Sequence, residues 1–350
     1  MSDTELRSRV IGKLLETAGD PACDDHFAID KWEWPQGVAL YSLYLASGKE
    51  GGAGYLDFIR GWFDRHLLEA PPIRNVNTCA PLLSLAFLAE RSGDRRYSAV
   101  CAEWAEWIMR EMPRTEEGGL QHVTSHLVNE GELWADTLFM TVLFLAAAGK
   151  LLGRKDYVEE ATYQYLVHIK YLTDRSTGLW FHGWTFKDRG HFGRIKWARG
   201  NAWFTAGAME FLRIAEPEGA ARRVVEEALK SQLRALVALQ DETGLWRTIL
   251  DDTGSYLETS ASAAIAYGLI RAVREGIADA SMEAAARKAV AGVRSRIQED
   301  GTVAGVSHGT AVGMDRDHYL RIPLSSTAYG QGLAFLMLVE AEAAGLSGHD

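Results

Sequence analysis

The chain is poor in cysteine, short of positive charge and free of long hydrophobic runs. Its three cysteines, Cys23, Cys79 and Cys101, lie far apart and form no CxxC pair. That pattern suits reduced thiols and excludes a disulfide framework. No stretch approaches the roughly 18 apolar residues that a membrane-spanning helix needs. Met1-Ser2-Asp3-Thr4-Glu5-Leu6-Arg7 has no apolar signal core, so a cytoplasmic protein is expected. Lys and Arg number 37 against 47 Asp and Glu, a net charge of −10. Nucleic acid and anionic membranes need a basic footprint and are excluded as partners. A small anionic substrate is not, because a few cations in a pocket reverse the local field. Nucleotide-binding fingerprints are missing: there is no strand–GxGxxG–helix unit and no GxxxxGK[ST]. GxSxG and a Cys–His nucleophile setting are missing too.

What is present is apolar and aromatic. Hydrophobic residues make up 47% of the 350, with 11 Trp, 12 Tyr and 12 Phe. Aromatics in this number either fill a large core or line a pocket that stacks on sugar rings, and composition favours the core. No linker, low-complexity segment or composition shift divides the chain, so one domain over residues 1–350 is expected.

Strongly apolar helical stretches with polar starts alternate with charged, amphipathic ones. The apolar members begin near Trp34, Asn77, Trp134, Arg199, Glu258 and Ser325. Their amphipathic partners are Leu56–Leu68, Tyr97–Met112, Asp156–Leu172, Glu218–Gln240, Ser281–Gln298 and a first helix near Asp3–Ala18. Helices apolar all round are buried, and those with one apolar stripe lie outside. Six inner and six outer helices predict an all-α fold, an (α/α)6 barrel. A second repeat sits between the pairs: Gly118-Gly119-Leu120, Gly178-Leu179-Trp180, Gly244-Leu245-Trp246 and Gly301-Thr302-Val303. Each reads as a glycine turn leading into a short extended segment. These hairpins and the polar starts of the inner helices are expected at one cavity.

The candidate chemistry clusters between Gly118 and Trp203. Asp136 stands between Trp134 and Leu138-Phe139-Met140. A carboxylate in such surroundings is costly unless paired, protonated or used. The expectation is an acid that holds its proton near neutral pH; the alternative is a first-turn acid on the helix dipole. Arg199 and Trp203 are four apart and share a helix face. A guanidinium beside an indole suits a carboxylate carried on a ring, or is simply a cation–π pair. Trp197 flanks them. His182 precedes Gly183-Trp184 and is either functional or a satisfied structural hydrogen-bonder. Trp32-Glu33-Trp34 and Tyr41 suit sugar stacking and core packing equally. His122 and His126 have no third ligand at helical spacing, so neither a metal nor another cofactor is expected.

Taken together, Trp134-Ala135-Asp136-Thr137-Leu138-Phe139-Met140, His182-Gly183-Trp184, Trp197-Ala198-Arg199-Gly200-Asn201-Ala202-Trp203 and Gly305 to Gly313 with Tyr319 resemble family 105 of the glycoside hydrolases. These are the unsaturated rhamnogalacturonyl hydrolases, related to the unsaturated glucuronyl hydrolases. The resemblance runs from about Trp34 to the C-terminus. It implies the same barrel and a substrate made by a polysaccharide lyase, an oligosaccharide with a 4,5-unsaturated uronic acid at its non-reducing end. It implies Asp136 as general acid/base, with His182, Arg199 and Trp203 as substrate contacts. Trp134, Trp197, Tyr41, Tyr319 and Asn77 complete the expected binding set. Asn77 departs from the family, which often has a second aspartate there; an amide holds a hydroxyl or water but is no base. One acid suffices in principle, because an unsaturated uronide is a vinyl ether that protonation at C4 activates. Two alternatives remain: a sugar epimerase using His182 and His308, and a non-catalytic carbohydrate-binding toroid.

Overall fold

The computed structural model describes residues 3–49 and 51–346. Among these residues the inner helices are α2 (Trp34–Ala46), α4 (Val76–Ser92), α6 (Leu143–Leu152), α8 (Ala198–Ala215), α10 (Thr259–Arg274) and α13 (Ala328–Ala343). Each touches the next, and α13 closes back onto α2. Outside them run α1 (Asp3–Leu15), α3 (Ala53–His66), α5 (Arg95–Arg110), α7 (Lys155–Leu172), α9 (Gly219–Ala238) and α11 (Glu283–Arg294). A short α12 (Arg316–Leu320) follows in the C-terminal loop. The fold is the expected (α/α)6 barrel.

Burial follows the two helix types. In α8 and α13 nearly every side chain is buried. In α5 only Tyr97, Cys101, Trp104, Ala105 and Ile108 are, which is a single stripe at helical spacing. Inner helices must approach closely to close so small a ring, and glycine permits it. A Cβ on Gly37 of α2 would lie 2.6 Å from the backbone of Ala80 and Pro81 in α4. One on Gly268 of α10 would lie 2.7 Å from the Thr205 carbonyl of α8.

The glycine turns are real and do a second job. Gly118, Gly178, Gly244 and Gly301 have φ of 72°, 84°, 88° and 89°, where a side chain is strained. A Cβ at each would meet the following outer helix: Tyr163 of α7, Ser231 of α9, Lys288 of α11 and Arg9 of α1. The last contact joins the end of the chain to its beginning.

Helix starts are set by caps. Asn75 accepts from the N–H of Asn77 and of Thr78 and forms a reciprocal capping box. Thr327 caps α13, which therefore begins at Ala328 rather than near Ser325. The third inner helix also starts late, because Glu132–Trp134 form strand β1. A π-helical stretch, Leu138–Val142, leads into α6, with the Leu143 N–H reaching back to the Leu138 carbonyl. π-Helical turns frequently mark functional sites, and this one follows Asp136 directly.

Candidate active site

A three-stranded antiparallel sheet brings the central residues together. Strand β1 pairs antiparallel with β2 (Gly183–Thr185), Trp134 facing Gly183, and β2 pairs with β3 (Gly190–His191). The Ala135 N–H donates to the His182 carbonyl at 3.0 Å. Asp136 and His182 are thus fixed side by side at one mouth of the barrel. His182 Nε2 lies 3.2 Å from Asp136 Oδ2, and Trp203 Nε1–H donates to Asp136 Oδ1 at 3.0 Å.

The proton positions follow from the network. The Gly313 N–H donates to the Tyr319 hydroxyl oxygen at 3.0 Å, and that hydroxyl lies 2.8 Å from His182 Nδ1. The phenol therefore donates to Nδ1, which leaves Nε2–H to donate to Asp136. Burial lowers the His182 pKa and keeps the imidazole neutral. For Asp136, burial pushes upward, but the His182 hydrogen bond and the positive potential around it, to which the Arg199 guanidinium contributes, outweigh it. Its carboxyl sits below the ordinary aspartate value. This overturns the expectation of an acid protonated at rest: the apolar neighbours in sequence matter less than two N–H donors brought from elsewhere.

Asp136 keeps 14% of its side-chain surface exposed, and that surface opens onto a cavity of about 360 Å3. Trp34, Asn77, Trp134, Trp197 and Arg199 line the same cavity. Its lining combines tryptophan and histidine rings with charged side chains.

The sequence matches the description "Glycosyl Hydrolase Family 88" over residues 10–344. The chain belongs to glycosyl hydrolase family 88. It is 36% identical over 312 residues to an unsaturated rhamnogalacturonyl hydrolase, YesR of Bacillus subtilis, across 88% of this chain and 89% of that one. A crystal structure described as a possible GH105 member from Klebsiella pneumoniae superposes with a TM-score of 0.92 at 42% identity, over 97% of this chain and 93% of that one. The unsaturated glucuronyl hydrolase of Bacillus sp. GL1 shares the fold, with a TM-score of 0.74 at 19% identity over 99% and 97% of the two chains. The family 88 chain is a glycoside hydrolase.

Several expected binding residues of this family 88 enzyme take other positions. Tyr41 is buried away from the cavity and hydrogen-bonds Glu210 and Arg213. It lies about two helical turns along α2 from the cavity-lining Trp34. Tyr319 is also buried and acts on His182, behind the wall. Trp203 spends its indole N–H on Asp136 and is fully buried, so it orients the acid and offers no stacking face.

Arg199 departs most. It faces the cavity, yet Nη1 donates to the Ser307 carbonyl at 2.8 Å and the Ser307 hydroxyl at 2.6 Å, and Nη2 to the His308 carbonyl at 2.8 Å. Thr310 Oγ1 lies 3.2 Å from Nη2, and buried Glu258 balances the charge at 3.7 Å. Its cation–π partners are Trp197 and Tyr329, not Trp203. The guanidinium builds the 307–310 loop and lends the wall positive potential; its Nη donors are committed there.

His308 stacks on His26 at 4.0 Å and lies 3.6 Å from Asp24. Both nitrogens of His182 are occupied, so the two-histidine arrangement of an epimerase is not what this site presents. His122 belongs to the site, although its spacing in the sequence suggests at most a metal ligand. It lines the cavity, stacks on Trp134 at 4.2 Å and touches Thr137 through Nδ1 at 2.8 Å. Burial lowers its pKa to about 4. The available signal is its place three residues after Gly119 of the first glycine turn, at the cavity mouth.

Proposed function

We propose that this glycoside hydrolase removes a 4,5-unsaturated uronic acid from the non-reducing end of a lyase-generated oligosaccharide by hydrating the vinyl ether. The observation that carries the reading is Asp136, held by Trp203 and His182 yet open to an aromatic cavity. The free enzyme holds Asp136 as a carboxylate. An anionic sugar that expels water from the cavity reverses the balance, because lost solvation and a second carboxylate both raise the pKa of the first. Protonated Asp136 gives its proton to C4, and positive charge develops at C5 and the ring oxygen. Water adds at C5 and returns a proton to Asp136. The C5 hemiketal opens to a ketone, leaving a hemiacetal at C1, which collapses to an aldehyde and releases the leaving sugar as its alcohol. Arg199 supports the sugar acid through its charge and the loop it holds. Trp34, half-buried at the cavity, offers its surface to the ring, with the buried Trp134 and Trp197 backing the wall. The same reading takes residues 1–350 as one catalytic domain. It takes a cytoplasmic setting, supported by three free cysteines. Among the described residues, no helix is long and apolar enough to cross a membrane.

A panel of lyase-generated unsaturated disaccharides, followed by loss of enol-ether ultraviolet absorption, tests the reading. Turnover with release of the second sugar is expected. An isomerised product with its glycosidic bond intact, or binding without turnover, overturns it. The pH dependence is also set. With the Asp136 pKa below its ordinary value in the free enzyme, the protonated fraction falls tenfold per pH unit across neutrality. Log kcat/KM is expected to fall with a slope near −1 as pH rises, and the pKa read from kcat to stand above that of the free enzyme. A profile flat from pH 5 to 8 contradicts Asp136 as the proton donor.

A further inference from the structure

Asn77 leaves the site one carboxylate short of the family pattern, and the tertiary structure supplies one from a different helix. Glu33 is the N-cap of α2 and lines the same cavity as Asp136 and Asn77. Its position is braced from two sides. Trp32 Nε1–H donates to the Thr78 carbonyl at 2.9 Å, which ties this segment to the first turn of α4. The Asn75 side-chain amide donates to Ser125 Oγ at 3.0 Å, and Ser125 O–H donates to Glu33 Oε1 at 2.8 Å. Glu33 is therefore held against the helix end that presents Asn77.

A carboxylate offers about four acceptor sites. Two are taken, by Ser125 and by the Trp34 N–H at 3.3 Å, so acceptor capacity remains on the cavity side. Burial pushes the Glu33 pKa up against those two bonds, as suits a group that gains from a new donor. The ring of a 4,5-unsaturated uronic acid keeps two adjacent hydroxyls, at C2 and C3. Asn77 alone brings one acceptor oxygen to that pair.

We infer that Glu33 binds substrate together with Asn77, accepting a ring hydroxyl of the unsaturated sugar and so placing C4 over Asp136. The inference rests on the proposed hydrolysis and names the residue that fixes the sugar's register.

The test is a cycle of enzyme variant against substrate variant. Glu33→Gln keeps one acceptor oxygen for the Ser125 hydroxyl while the charge is lost. Its NH2 takes the place of the oxygen that meets the Trp34 N–H at 3.3 Å, so the cap is weakened. The comparison between substrates, rather than the single loss, therefore carries the test. The variant is expected to lower kcat/KM on the parent disaccharide by about 10- to 100-fold, the range for a hydrogen bond to a charged group. Unsaturated disaccharides lacking the C2 or the C3 hydroxyl are then compared. One deoxy substrate should be poor for the wild type yet show little further loss with Glu33→Gln, because the partner is already gone. Glu33→Asp keeps the charge but draws it back by one methylene, and should show the same weakened dependence on that hydroxyl. It serves if the Gln variant folds poorly. Additive losses with both deoxy substrates, or Glu33→Gln activity within twofold of wild type, overturn the inference and leave Glu33 a helix cap. A wild-type enzyme inactive on the parent disaccharide removes the proposed hydrolysis itself, and this inference with it.

Discussion

Asp136→Asn is expected to lower kcat about 1,000-fold, within the range for loss of a general acid–base group, while the barrel stays folded. The substitution is nearly isosteric. The amide oxygen still accepts from Trp203 Nε1–H, which reaches Oδ1 at 3.0 Å. What disappears is a group able to hold a proton for C4 and take one back from water. The amide nitrogen also meets His182 Nε2–H donor to donor, so a modest loss of thermal stability accompanies the loss of rate. The initial rate of enol-ether absorbance loss and a circular-dichroism melt measure the two effects separately. Near-normal turnover by a folded variant would show that the proton comes from elsewhere.

Glu210→Ala should cost about 3–5 kcal/mol of folding stability, the usual price of stripping one partner from a buried ionic cluster. Glu210 is fully buried on α8. It accepts from Tyr41, Tyr267 and Arg271, and from Arg213 Nη2 at 2.7 Å. Four elements of charge and hydroxyl converge on one carboxylate that links α2, α8 and α10. Removing it strips the nearly buried Arg271 and the part-exposed Arg213 of the carboxylate they share, leaving Arg271 with Glu275 alone. Burial pushes the Glu210 pKa up, but Arg213 and Arg271 pull it down to about 2. The unfolded value is near 4.3. The folded pKa is the lower one, so the contribution is complete above about pH 5 and fades as pH falls toward 2. Urea unfolding of wild type and variant should show a gap that is widest at neutral pH and narrows in acid. A gap under about 1 kcal/mol at pH 7 would mean that the cluster is replaceable by packing.

The same cluster explains how Tyr41 misled. On the primary structure it is one more aromatic in a tract beginning Trp32-Glu33-Trp34. Nothing local distinguishes a tyrosine that meets substrate from one that meets a glutamate 169 positions away. Glu33 shows the reverse case: a capping acid with no chemical signature becomes a cavity carboxylate through Ser125, 92 positions on. Asp136, Asn77, Trp134, Trp197 and Arg199 were all legible as cavity residues because inner-helix starts and hairpins recur at one end of the ring.

Periodicity, caps and glycine turns were enough to specify the barrel, its six helical pairs and the end at which a site opens. These are local or near-neighbour properties, and each repeat restates them. Protonation and hydrogen-bond commitment were decided by packing instead. Asp136 rests ionised because Trp203 and His182 converge on it, and Arg199 is spent on the 307–310 loop. Those partners come from distant segments, and no spacing along the chain records whether two donors will meet one acid.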